Sequence, residues 1–236
     1  MVTVTMFTMS TSRRSTARKR PAPYHHGDLR RALVEAALTL ARERGDDGFT
    51  LREAARRVGV SQTAPYRHFE TREALLAAVA EDGFSALHRQ LEQLPAARAP
   101  RQRLRAQGLA CFAFYVEDAA RFRVMFGRAT SQKERYPGLA AAWERVNATL
   151  LESLVACQRA GEIRGGDPLE LGLVTAAMTH GLAALAIEGH LGTSLPSDRT
   201  AVEGLYRRAS AVLYRGLHPT DRENLPASAS RRTPRP

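Results

Sequence analysis

The sequence predicts an all-α fold, with a small three-helix head ahead of a larger helical body. Three observations predict it. Apolar residues recur at helical spacing along most of the chain. Capping residues stand at the starts of these stretches, with Gly or Pro at their ends. No stretch alternates apolar and polar residues as a half-buried strand would, and no internal repeat is found.

The elements follow in order. Residues 1–23 are rich in Ser, Thr, Arg and Pro without periodicity and read as a disordered basic arm. Asp28 is a good N-cap, and Leu29, Leu33, Ala36, Ala37, Leu40 and Ala41 then share one helical face, ended by Gly45 and Gly48. Thr50 and Glu53 have capping-box spacing and open a second helix that buries Leu51, Ala54, Ala55 and Val58. Gly59-Val60 makes a turn, and Ser61 caps a third helix, with Pro65 just past its first turn. Thr71 caps a fourth, with Leu75, Leu76, Val79, Leu87, Leu91 and Leu94 on its apolar side, up to Pro95. Beyond the break at 95–100, helical patterns cover roughly 101–117, 119–127, 138–160, 168–190 and 199–217. From Pro219 the chain again reads as a disordered tail. The domain boundaries are therefore an arm at 1–23, a head at 24–72, a body at 73–218 and a tail at 219–236.

Composition bounds the function. Hydrophobic residues make up 44% and charged residues 25%, ordinary for a soluble globular chain. No apolar run looks long enough to cross a bilayer, so no membrane partner is expected. The basic residues from Arg13 to Arg20 follow the weakly apolar start, the reverse of a signal peptide. Cys111 and Cys157, the only cysteines, lie in apolar helix-like contexts and point to a reducing, cytoplasmic setting with no disulfide framework. No spacing suggests a metal site or a cofactor. His25-His26 is too short for a metal site. The net charge of +11 resides mainly in the tails: residues 1–23 carry +5 and residues 219–236 carry +2. Residues 24–72, with nine basic and seven acidic side chains, carry only +2. Any nucleic-acid contact by the head must come from particular residues rather than bulk charge.

Those residues lie in Thr50–Phe69, which reads as two short helices joined by a tight turn. A helix entering a major groove must bring short or planar polar groups to base edges. Gln62 can bond an adenine with two hydrogen bonds, Thr63 offers a hydroxyl or a methyl, and Ala64 keeps the surface low enough to touch a thymine methyl. Tyr66, Arg67 and His68 can reach the backbone, while Phe69 points into the core of the head. Thr50, Arg52, Ser61, Thr71 and Arg72 stand at helix starts, where amides and side chains suit phosphates.

Residues 24–76, from Tyr24-His-His-Gly-Asp-Leu-Arg to Tyr66-Arg-His-Phe-Glu-Thr-Arg-Glu-Ala-Leu-Leu76, resemble the head of TetR-type transcriptional regulators. Arg72 stands where that family usually has Lys. In the body, Ala119–Gly127 is similar to a segment of one C-terminal subgroup, and Thr179-His180-Gly181 resembles its Trp-His-Gly motif with Thr in place of Trp. The resemblance implies a helix-turn-helix head and a helical ligand-binding and dimerisation domain. It also implies a homodimer reading a palindromic operator in double-stranded DNA, with repression relieved by a small-molecule effector.

The residues of the body agree on pairing. In 168–190 apolar side chains cover nearly every side, which predicts burial on both faces. Ala177, Gly181, Ala184 and Leu185, with Leu205 and Val212 of the last helix, are the candidate dimer interface, two helices from each subunit. Close helix packing is the expected reason for Gly181. For the effector, the candidates are Phe112, Tyr115, Phe122, Phe126, Trp143, Met178 and His180, which would suit a mostly apolar molecule.

Two other function classes compete. A non-sequence-specific DNA-binding protein would use the basic tails but has no need of a capped turn tipped by Gln62-Thr63. An enzyme would need catalytic machinery, and the sequence has no P-loop, no Gly-Xaa-Ser-Xaa-Gly elbow and no zinc spacing.

Overall fold

The computed structural model describes residues 26–191 and 199–217. The expected arm (1–23), tail (219–236) and Gly192–Pro196 break lie outside them. Eight α-helices and no strand occur among the described residues.

Helix α1 (His26–Arg44) starts two residues ahead of Asp28, so that residue lies inside the first turn rather than capping it. Its apolar face, including Leu33, Ala37 and Leu40, is buried. Gly45 ends it at φ +82, a left-handed conformation that costs glycine little. Helix α2 (Leu51–Val58) begins with a complete capping box. The Glu53 amide donates to Thr50 Oγ1 at 3.2 Å, and the Thr50 amide donates to Glu53 Oε2 at 2.9 Å. Gly59, at φ +81, ends it. Helix α3 (Arg72–Glu92) is capped by Thr71, whose Oγ1 accepts from the Ala74 amide at 3.1 Å. It runs from the head into the body with Leu75, Leu76, Phe84, Leu87 and Leu91 buried.

The body contains α4 (Pro100–Glu117), α5 (Ala119–Phe126), α6 (Pro137–Arg159), α7 (Pro168–Ile187) and α8 (Arg199–Gly216). Helix α3 packs against α1, α5 and α6, whereas α4 packs against α6, α7 and α8. The core has two parts. A large cluster runs from Leu29 in α1 through α3 to Met125, Leu139 and Ala183. A smaller one joins Leu104, Leu154, Cys157, Ile163, Leu171, Tyr214 and Leu217 at the far end of the body.

The expected third helix needs correction. The residues after Gly59 form no α-helix beginning at Ser61. They make turns and then a single 3₁₀ segment, Ala64–Arg67, whose N-cap is Thr63. Proline at position 65 lacks the amide that a regular helix would use there. Within the single chain helix α7 is buried on one side only: Leu169, Leu173, Val174 and Leu185 are exposed, and Leu171, Thr179 and Ala183 are buried. Among the described residues it is also the one helix long and apolar enough, by length and composition, to cross a membrane, contrary to the reading of the apolar runs. Its inner side packs on α4, α6 and α8, and its first turn carries Glu170.

Candidate nucleic-acid interface

The tip of the head is assembled by local hydrogen bonds. The Gly59 amide donates to the Arg56 carbonyl at 3.2 Å and the Val60 amide to the Ala55 carbonyl at 3.1 Å, turning the chain away from α2. The Ala64 amide then donates to the Ser61 carbonyl at 3.1 Å. Ser61 acts through this carbonyl and through a 3.2 Å hydroxyl pair with Thr63, not as a side-chain helix cap. The Pro65 carbonyl accepts from the amides of His68 and Phe69, both at 2.9 Å. Pro65 and Phe69 are buried, and the Arg30 guanidinium lies over the Phe69 ring at 5.5 Å. Two buried anchors thus hold a loop that presents Gln62, Thr63, Tyr66 and Arg67 to solvent, with Ala64 half-buried between them.

The cations around the tip divide into free and committed groups. Arg52 and Arg67 are exposed and take part in no ion pair among the described residues. Arg44 pairs with Glu53 at 2.7 Å, and Arg57 with Glu43 at 2.5 Å. These bonds, Arg57 to Glu43 and Arg44 to Glu53, hold both carboxyls below their ordinary pKa. Arg72, expected to clamp a phosphate, is instead turned inward. Its guanidinium donates to the Asp46 carbonyl, pairs with Asp47 at 3.2 Å and lies over the Phe49 ring at 5.3 Å. It fastens the turn between α1 and α2. His68 likewise departs from the expected backbone contact: it is half-buried, and Nε2 is buried without a protein partner. Thr50 and Thr71 are exposed caps whose hydroxyls are occupied by their own helices.

The expected effector residues come together, though as a packed cluster rather than the lining of an open cavity. Phe126 lies 5.3 Å from Tyr115, 5.1 Å from Phe122 and 4.6 Å from His180, measured between ring centroids. Phe84 bridges Phe126 and Trp143 at 5.5 and 5.1 Å. Phe112 stands apart, stacked on Tyr206 of α8 at 5.0 Å. Met178 is half-buried against the large cluster. A surface cleft of about 480 Å³ is lined by Leu94, Pro100, Ser153 and Ala156 among others. A second, of about 720 Å³, opens between head and body beside Arg42, Gln90, Phe114 and Arg121. None of the seven residues lines either cleft. The sequence does not single out Phe84, because an aromatic at helical spacing looks the same whether it packs against apolar or polar neighbours.

The candidate dimer residues occupy the outer side of the body. Ala177, Leu185 and Val212 are exposed, and Gly181, Ala184 and Leu205 are half-buried. A Cβ built at Gly181 would meet nothing within 4 Å, so this glycine makes no close approach within its own chain. Leu169, Leu173 and Val174 extend the same apolar surface. Tyr206, on the same helix as Leu205 and Val212, is buried in the chain's own core. The side chain of Val202 lies outside the described residues.

Comparison with known proteins agrees with this geometry. Residues 33–79 match the family model for bacterial regulatory proteins of the tetR family, and residues 104–213 match that of the tetracyclin repressor-like C-terminal domain. No curated protein sequence matches. A protein of unknown function from Rhodococcus sp. RHA1 is 34% identical in sequence, covering 84% of this chain and 99% of that one, with a TM-score of 0.71. A tetR-family regulatory protein from Rhodococcus RHA1 is 18% identical, covers 82% and 98% of the two chains, and has a TM-score of 0.65. The regulator FadR of Bacillus subtilis, solved with stearoyl-CoA, is 15% identical, covers 80% and 99%, and has a TM-score of 0.63. With a helix-turn-helix head and a helical body both matched, the chain belongs to the TetR family and is a DNA-binding transcriptional regulator, not an enzyme.

Proposed function

We propose that this regulator is a cytoplasmic homodimeric repressor that reads a palindromic operator and leaves it when a small molecule binds the body. The observation that carries base reading is the exposed Gln62-Thr63 tip, held between buried Pro65 and the capped α2. Gln62, Thr63 and Ala64 read bases, Tyr66 and Ser61 flank them, and the free Arg52 and Arg67 contact phosphates. Thr50 and Thr71 position the elements, and Arg72 braces the α1–α2 turn. Head (24–72) and body (73–218) divide the work, and the basic arm adds affinity without sequence preference.

The uncovered apolar side of α7 and α8 supports the dimer. Leu173, 71% exposed, and Val212, 62% exposed, are stabilised by burial against a second copy. The stearoyl-CoA held by the Bacillus subtilis neighbour supports an effector site in the helical body, with Phe122, Phe126, Trp143, Met178 and His180 as its apolar part.

Gln62→Ala and Thr63→Ala test the reading of the tip. Each is expected to weaken operator binding by about 1–3 kcal/mol while leaving binding to random duplex nearly unchanged, measured by titration with competitor DNA. Equal losses on both duplexes would remove the two residues from base readout and favour non-specific binding.

A further inference from the structure

The cleft of about 720 Å³ between head and body has a volume that suits a small ligand. Ala41 and Arg42 of α1 form its head side, and Gln90 of α3, Phe114 of α4 and Arg121 of α5 belong to the other walls. Its lining is charged. Three guanidiniums, of Arg42, Arg121 and Arg123, stand against two carboxylates, of Glu117 and Asp118, which leaves the lining at +1.

The three cations are not equivalent. Arg42 is held by Asp118, to which it donates through Nε and a terminal nitrogen. Arg123 gives two hydrogen bonds to Glu188 Oε1, at 3.1 and 3.0 Å. Arg121 has no such bond. Its Nε stands 3.4 Å from Asp118 Oδ2 but is buried without a hydrogen bond. Its guanidinium lies over the Phe114 ring at 5.7 Å, and its side chain is only 22% exposed. No protein group among the described residues accepts from its terminal nitrogens. The half-buried Gln90 side chain also has no hydrogen-bond partner among the described residues. A planar guanidinium with unused donors, braced on an aromatic ring and mostly withdrawn from water, matches a carboxylate in both charge and shape.

We propose that this cleft binds a small organic acid. The carboxylate takes the free donors of Arg121, with the Gln90 amide as a second donor. The apolar part of the acid rests among Phe114, Ala41, Ala119 and Ala120. The cleft borders the aromatic cluster, since Phe114 stands 6.3 Å from Tyr115, and Tyr115 stands 5.3 Å from Phe126, between ring centroids. The proposal rests on the effector reading above and gives the effector a chemical class. An acid bound there touches α1 and α5 at once, beside the Arg42–Asp118 ion pair that joins them.

Benzoate and benzamide test it, being rings of similar size with and without the charge. Calorimetry on the full-length protein should show benzoate binding at least about tenfold tighter than benzamide. Arg121→Met, which keeps an apolar chain over Phe114, should weaken benzoate about tenfold and leave benzamide unchanged. Arg121→Lys should restore part of the loss, because it returns the charge without the planar fork. Glu117→Gln should tighten benzoate about twofold by removing a like charge from the lining, a gain that a damaged fold would not produce. Benzamide binding as tightly as benzoate, undiminished benzoate affinity in Arg121→Met, no gain in Glu117→Gln, or no benzoate uptake at millimolar concentration would each overturn the proposal. Compounds that release DNA equally from wild type and Arg121→Met would overturn the cleft as the effector site while leaving the effector reading standing. Benzoate that binds through Arg121 without any effect on DNA would support the acid site and refute its role as the effector site.

Discussion

His180 lies 4.9 Å from Phe122 and 4.6 Å from Phe126 between ring centroids, and burial lowers its pKa from the ordinary histidine value. The unfolded chain takes up a proton near pH 6.5, whereas the folded chain resists it until lower pH. Stability is therefore complete above about pH 6.5 and falls as pH drops through the window beneath it. His180→Gln should remove this acid-side loss. Thermal unfolding of wild type and variant between pH 8 and 5 checks it, and parallel curves would show that His180 does not titrate on unfolding. At this scale the sequence was legible where a role depends on neighbours along the chain. Thr50 with Glu53, and Thr71, are caps because the partner atoms are three residues away. The settings of Arg72 and His68 are not legible in this way, because the Asp46 carbonyl that Arg72 meets lies 26 positions earlier and the burial of His68 Nε2 depends on the folded head.

Helix α5 connects the two halves of the molecule. Asp118 caps its N-terminus and forms an ion pair with Arg42 of α1. Burial raises the Asp118 carboxyl, but the bonds from Arg42 and the Arg121 amide outweigh this and leave its pKa below the ordinary value. Arg123 pairs with Glu188 at 3.0 Å, at the end of α7. Helix α5 thus touches α1 at its start and the residue that follows α7 through Arg123. The crossing of α5 over α3 depends on Gly83, where a Cβ would stand 2.7 Å from Met125 Sδ and 2.9 Å from its Cγ. Met125 is fully buried and has little room to yield. Overpacking costs roughly 1–3 kcal/mol, offset by about 1 kcal/mol of helix propensity gained on replacing Gly. Gly83→Ala should therefore destabilise the protein by about 1 kcal/mol in chemical denaturation. Shortening the methionine as well, with Met125→Val, should recover part of that loss. A stabilised Gly83→Ala protein would mean that the crossing is loose.

For the whole molecule, the largest unmet demand is the apolar side of α7 and α8. Leu173→Glu places a charge at its most exposed large apolar position. The variant should elute as a monomer in size-exclusion chromatography with light scattering. It should bind operator at least about a hundredfold more weakly, because two linked heads gain from effective concentration. A dimeric Leu173→Glu protein with wild-type DNA affinity would place the subunit contact elsewhere. The +11 net charge bears less on specificity than its size suggests, since +7 of it lies in residues 1–23 and 219–236. Deleting residues 1–20 should lower affinity and flatten its salt dependence while preserving sequence preference, as measured by titration across salt concentrations.

The sequence by itself determined the all-helical class, the placing of nearly every helix, and the capped turn that exposes Gln62 and Thr63. These follow from caps, glycines and apolar spacing within a few residues, interactions that a linear pattern records. Tertiary structure alone decided that the tip is a 3₁₀ turn shaped around buried Pro65, that Arg72 faces inward, and that α7 leaves one side uncovered. It also brought Tyr206 of α8 against Thr179 of α7 and the backbone of Gly108 in α4. Gly108 and Tyr206, far apart in the chain, meet through the mutual packing of α4, α7 and α8, and no local periodicity encodes which faces will meet.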